Sequence, residues 1–236
     1  MTDTLLDRPI WSALATRQAH LALAHGKARR YLPQISPLAA IEDPDDADAL
    51  GRLCLPDASI IILDRKGITV PRHMQVLRRA TGLQMVAHDP VPAPEPRDDI
   101  LPLGATDAAE MVALAKLTEP GPFEMRTHEF GGFIGIRIDG RLAAMAGERM
   151  KLPGFTEVSG VCTHPDFRGR GYAAHLSTIV AARIAARGET AFLHAYADNQ
   201  AATSLYEKLG FSPRCEMKVA MLGPAEWRHD GAREQG

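Results

Sequence analysis

The stretch Thr163-His164-Pro165-Asp166-Phe167-Arg168-Gly169-Arg170-Gly171-Tyr172-Ala173 concentrates residue types that bind anions. Residues 156–162 ahead of it read as a strand. Residues 174–187 behind it read as an amphipathic helix, with Leu176, Ile179, Val180 and Ile184 on one face. The loop therefore lies where a helix begins. The first N–H groups there have no intrahelical partner, and the helix dipole adds partial positive charge. Gly169 and Gly171 let the main chain approach a ligand, while Arg168 and Arg170 supply fixed charge. Such a combination selects an anion of the phosphate or diphosphate kind.

The spacing excludes two common phosphate loops. A Walker-type loop needs Gly-Lys-Ser/Thr after a four-residue gap, and a dinucleotide loop needs G-x-G-x-x-G; neither is present. Arg168-x-x-Gly171-x-Ala173 instead resembles the R/Q-x-x-G-x-G/A motif of the GNAT N-acyltransferase superfamily. Downstream, Asn199-Gln-Ala201-Ala-Thr-Ser-Leu205-Tyr206-Glu-Lys-Leu-Gly210-Phe211 resembles that family's N-x-x-A-x-x-x-Y-x-x-x-G-F segment. The two motifs stand in the family's order and at its separation. The resemblance covers residues 99–222.

It implies an α/β fold with a mixed, mostly antiparallel sheet flanked by helices, and transfer of an acyl group from acetyl-CoA to a primary amine in a ternary complex. By the same resemblance, backbone groups from Gly169 through Tyr172 to Ala173, with Arg168 or Arg170, hold the coenzyme A diphosphate. Val161, Cys162 and Thr163 pair with the pantetheine arm as if it were an added strand. Asn199 caps its helix and reaches toward the same arm. Tyr206 stands at the position of the acid that protonates the leaving thiolate.

The amine needs a neutral nitrogen. An alkylamine of ordinary basicity is almost wholly protonated at neutral pH, so a base or a desolvating site has to contribute roughly 4–5 kcal/mol. Glu157 is the first candidate base. Strand alternation puts it on one face with Ser159, Val161 and Thr163, and the resemblance places a base at this offset; a solvated strand-end carboxylate is the competing reading. Glu148, Glu129 and His128 stand behind it. His164 reads as a loop residue, Cys162 as a small core residue, and His175 and His194 as packed or half-exposed. No metal-ligand spacing occurs, so no metal is expected.

Several elements must position these groups. Residues 99–222 read as strand 100–103, helix 107–117 with Thr106 or Asp107 as its cap, and a Pro/Gly-rich loop over residues 118–132. A hairpin through Asp139-Gly140 follows, then a turn at Pro153-Gly154 and the 156–163 strand. Beyond the anion loop come strand 190–195, a helix from Asn199 to Leu209 and a terminal strand or hairpin. Residues 1–88 read as an N-terminal α/β domain: one or two helices over 9–32, an acidic loop over 40–48 that admits a short helix from Asp45, and strand 59–63. A helix over 71–80, Gly82 as its end and strand 83–87 complete it. Its strand–helix–Gly–strand order admits a degenerate second copy of the acyltransferase half; an unrelated cap shaping the acceptor site or a homodimer face is the alternative. The proline-dense residues 89–98 are expected to be an extended linker, and residues 223–236 a polar tail.

Composition narrows the rest. A 236-residue chain with 45% apolar residues builds a sizeable core, and a net charge of -2 offers no basic field for nucleic acid. Three widely spaced cysteines and no apolar run of spanning length lead to the expectation of a reduced, cytoplasmic protein with no membrane partner. Two readings from other classes stay beside the enzyme: an acyl-CoA-binding regulator without turnover, and a nucleotide-binding module, which lacks a ribose-recognising acid.

Overall fold

The structure is a computed structural model describing residues 3–56, 58–88, 92, 94–95 and 99–225. In chain order its elements are α1 (Asp3–Asp7), α2 (Pro9–Leu14), β1 (Ala22–His25), β2 (Ala28–Tyr31), β3 (Ala39–Ile41), α3 (Ala47–Gly51), β4 (Ile60–Asp64) and β5 (Met74–Ala87). There follow β6 (Ile100–Pro102), α4 (Ala108–Thr118), β7 (Ile134–Ile138), β8 (Arg141–Leu152) and β9 (Phe155–Thr163). The chain continues with α5 (Tyr172–Ala186), β10 (Thr190–Tyr196), α6 (Gln200–Lys208) and β11 (Phe211–Pro224). An eight-stranded sheet runs β4-β11-β5-β10-β9-β8-β7-β6, and β1, β2 and β3 form a small antiparallel sheet beside it. Every pairing in the large sheet is antiparallel except that of β9 with β10.

Two apolar layers hold the sheet. Leu176, Val180 and Ile184 of α5 pack with Ile134, Ala144 and Val158 on one face. On the other, Ile10 and Leu14 of α2 join Met111 and Leu114 of α4, Phe192 and Met217. Each such fully buried side chain contributes about 1.5–3 kcal/mol by leaving water. Ion pairs tie the layers: buried Glu148 meets Lys151 and Arg187, each at 2.9 Å.

Three sequence expectations are corrected here. Residues 71–80 are not helical; a turn over 71–73 leads into β5, a 14-residue strand with β11 along its length and β10 beside residues 82–86. Pro71 suited a helix start, but the ladder to β11 from Met74 onward outweighs a local propensity. Gly82 ends nothing and lies mid-strand, which also removes the helix from the supposed second copy. Residues 22–31 form a hairpin rather than a helix, turning at Gly26 with φ +53°. The acidic loop over 40–48 begins as a strand, β3. The linker at 89–98 falls mostly, and the tail beyond 225 wholly, outside the described residues.

The parallel pair β9–β10 makes the opening on which the site depends. Pairing runs only from Thr190↔Phe155 to Phe192↔Glu157, after which the strands diverge. On its other side β9 stays paired with β8 as far as Thr163↔Ala144, through a bulge where Gly160 takes φ +63°. A Cβ at Gly160 would also lie 2.9 Å from the Phe133 ring, so no other residue fits that bend without displacement.

Candidate active site

The unpaired edge of β9 faces a cleft of about 510 Å³. Its walls include Val161, Cys162 and Thr163 of β9, the loop from Arg168 to Ala173, and Leu205 with Tyr206 of α6. Gly171 is the N-cap of α5 at φ +75°, in the left-handed region that favours glycine. A Cβ at Gly169 or Gly171 would meet nothing within 4 Å, so the loop borders open space. Gly171, Tyr172, Ala173 and Ala174 at the start of α5 line this hollow, where the first N–H groups of a helix have no intrahelical partner, and Thr163 Oγ1 is buried without a hydrogen-bond partner. Arg168 and Arg170 are exposed, and Arg170 stacks over the Phe167 ring at 5.4 Å. Free amides, an orphaned hydroxyl and two solvent-facing cations make a cradle that fits a diphosphate with an amide-bearing arm.

A second cavity of about 290 Å³ adjoins the first, sharing Thr118, Val161, Ala202 and Tyr206 with it. Tyr206 thus sits on the partition between the two. Burial pushes its hydroxyl up to about 12, with a smaller contribution from nearby Cys162, so it carries its proton at neutral pH. The ring packs edge-on to Phe211 at 6.0 Å, and the hydroxyl makes no hydrogen bond among the described residues. Asn199 caps α6 as expected, its Oδ1 accepting from the Ala202 amide at 3.1 Å, and it also borders the second cavity.

Glu157 is fully buried and lines neither cavity. Arg149 Nε donates to its Oε2 at 2.8 Å and Arg149 Nη2 to its Oε1 at 2.7 Å; His194 Nδ1 donates to Oε1 at 2.7 Å. Burial alone would raise this carboxyl, but the Arg149 charge and the hydrogen bonds outweigh it and hold it at about 2. So low a value makes a poor proton acceptor. Glu157, expected as the base, thus has both oxygens engaged by Arg149 and His194, which it orients, and it stands behind the cavity wall rather than on it. His194 Nε2 lies 3.0 Å from the Gln84 amide nitrogen, which also donates to the Leu6 carbonyl at 2.8 Å.

Other sequence candidates lie elsewhere. Glu129 pairs with Arg126, His128 Nδ1 lies 3.1 Å from the Met125 carbonyl, and Glu148 holds its two cations; none borders either cavity. His164 is a loop residue whose Nδ1 accepts from the Asp166 amide at 3.2 Å. His175 Nε2 is buried without a partner. Burial raises the Cys162 thiol to about 11, which leaves it protonated and unreactive at neutral pH. Among the described residues no group of His, Cys, Asp and Glu is arranged to hold a metal. Nor is any helix among them long and apolar enough to cross a membrane.

Sequence reading missed Arg149 and His194. Arg149 was within reach, because it and Glu157 stand nearly symmetric about the Pro153-Gly154 turn. His194 was not, since its approach to Glu157 depends on the parallel register of β10 against β9.

The family described as FR47-like protein matches residues 133–219. The crystal structure of a GNAT-family protein from Novosphingobium aromaticivorans is similar at 47% identity and a TM-score of 0.88, over 93% of this chain and 98% of that one. A GCN5-related N-acetyltransferase from Kribbella flavida is similar in fold, with 19% identity and a TM-score of 0.60 over 92% and 95% of the two chains. A GCN5-related N-acetyltransferase-like protein from Streptococcus suis follows at 14% identity and a TM-score of 0.56, over 90% and 92%. No curated protein matches the chain in sequence.

Proposed function

The chain belongs to the GNAT family, and on that premise we propose that it is an N-acetyltransferase moving an acetyl group from acetyl-CoA to a primary amine by direct attack. The observation that carries this reading is Tyr206, a protonated phenol on the wall shared by an anion-cradling cleft and a second cavity. The amides of residues 169–173 and the charge of Arg168 or Arg170 bind the diphosphate. The open edge of β9 at Val161 and Thr163 aligns the arm that follows. When bound, acetyl-CoA supplies an activated acyl carbon and a thiolate leaving group.

Tyr206 then has one task. As the amine nitrogen bonds to the acyl carbon and the carbon–sulfur bond breaks, the phenol gives its proton to sulfur. The proton released by the nitrogen restores it, so the balance closes on an amide and a free thiol. Largely apolar walls around the second cavity disfavour an ammonium ion there and so help the nitrogen enter neutral. Cys162 takes no part, its thiol being protonated.

The test is binding and turnover together. Calorimetry should detect acetyl-CoA binding, and rates with varied amine and acetyl-CoA should give intersecting double-reciprocal lines. Tyr206→Phe should bind acetyl-CoA as the wild type does and turn over roughly ten- to a thousandfold more slowly. Parallel lines, or an unimpaired Tyr206→Phe enzyme, would refute the mechanism. Binding without thiol release from any amine would leave a regulator.

A further inference from the structure

The second cavity has a composition that selects its occupant. Leu38 just before β3, Ile61 and Leu63 of β4, Val219 of β11 and Met150 of β8 form much of its wall. The mid-strand glycine of β5, Gly82, also lines it; a Cβ there would stand in ordinary contact with Val219 and the Ala195 carbonyl, 3.7 Å from each, so a larger side chain would take up cavity space. The volume, about 290 Å³, suits a molecule with one medium-sized apolar group.

The charged groups at this cavity are unequal. Among the described residues that line it, the carboxylate is Glu119, which is solvent-exposed. Nearby Glu157 is already satisfied by Arg149 and His194. Among the described residues lining the cavity, no buried carboxylate is left to receive a cation. Arg149, in contrast, gives Glu157 only the Nε/Nη2 edge of its guanidinium. Its Nη1 makes no hydrogen bond among the described residues and lies 3.9 Å from where a Gly121 Cβ would stand. The Nη1/Nη2 edge is a second fork with the spacing of two carboxyl or carbonyl contacts.

We infer that the acyl acceptor is a small primary amine with an apolar side chain and a nearby carboxylate or carbonyl oxygen, a hydrophobic α-amino acid unit, bound with its oxygen on Arg149 and its side chain against the N-terminal strands. This rests on the proposed acyl transfer. It departs from the cationic acceptor that the acidic residues between positions 119 and 157 suggest in sequence: Glu129, Glu148 and Glu157 are taken up by internal ion pairs, Glu124 and Asp139 border neither cavity, and Glu119 is solvent-exposed. Residues 1–88 acquire a role in the same reading: they supply the wall that chooses the acceptor.

The experiment uses the full chain with acetyl-CoA and follows thiol release from phenylalanine, leucine, their amides, 2-phenylethylamine and spermidine. Phenylalanine or leucine, as acid or amide, should exceed both spermidine and 2-phenylethylamine in kcat/KM by about tenfold or more; acid against amide tells which oxygen Arg149 holds. Gly82 is at an unstrained backbone position, so Gly82→Val should fold, keep its acetyl-CoA affinity and raise the KM for phenylalanine about tenfold. A preference for spermidine, equal rates with 2-phenylethylamine, a selective gain with long-chain acyl-CoA in place of acetyl-CoA, or an unchanged KM in Gly82→Val would each overturn the acceptor assignment. Absence of acetyl-CoA binding in the wild type would instead overturn the acyl-transfer reading beneath it.

Discussion

Glu157, Arg149 and His194 show how a residue's surroundings settle its role. A glutamate on the strand facing a thioester looks like a base when only its position is known. Enclosed by a bidentate guanidinium and an imidazole N–H, it is a fixed anion. Its usual value of 4.5 is lowered to about 2 on folding, so it stabilises the fold fully above about 4.5. That stabilisation is lost as pH falls from 4.5 toward 2. Glu157→Gln should therefore flatten the decline of stability across this window. At neutral pH it should cost about 3–5 kcal/mol, because Arg149 is left buried without its counter-charge. Urea unfolding at a series of pH values would measure both, and an unchanged slope below pH 4.5 would show that the pair contributes nothing.

At the scale of elements, the strand–loop–helix from β9 to α5 decides whether a diphosphate is held. Its legibility came from chemistry that is local: glycines where φ is positive, orphan amides at a helix start, and arginines beside them. Asn199 was legible for the same reason, since an N-cap needs only its own helix. The first half of β5 was not, because what makes it a strand is the pairing with β11, more than a hundred positions away. A side chain at Gly171 tests the element. Gly171→Val should raise the dissociation constant for acetyl-CoA at least about a hundredfold by obstructing the cradle, while left-handed strain lowers stability by roughly 1–2 kcal/mol. Calorimetry for binding and thermal melting for stability separate the two effects, and unchanged affinity would remove the loop from the site.

For the whole molecule, the question is how residues 1–88 relate to the remainder. Composition and the proline-dense connector suggested a domain of its own. The strands tell of closer integration: β5 lies between β11 and β10, β4 lies outside β11, and one apolar layer draws on Leu6, Tyr31, Phe192 and Met217 together. Gln18 reinforces this from α2's side, donating to the Arg149 carbonyl at 2.8 Å and accepting from the buried Tyr31 hydroxyl at 2.6 Å. We propose that the chain unfolds as one cooperative unit. Scanning calorimetry should give a single transition with equal calorimetric and van't Hoff enthalpies. An earlier, separate transition for the first 88 residues would show that they hold a core by themselves.

By itself the sequence determined the family, the glycine-rich loop at the start of α5, the Asn199 cap and the hairpins of the C-terminal part, because each rests on contacts between residues near one another in the chain. Only the tertiary structure decided that β9 and β10 diverge, that Glu157 is a buried counter-ion, and that the N-terminal strands wall the second cavity. Those facts depend on registers between distant strands, and a one-residue shift of register turns every side chain to the other face of the sheet.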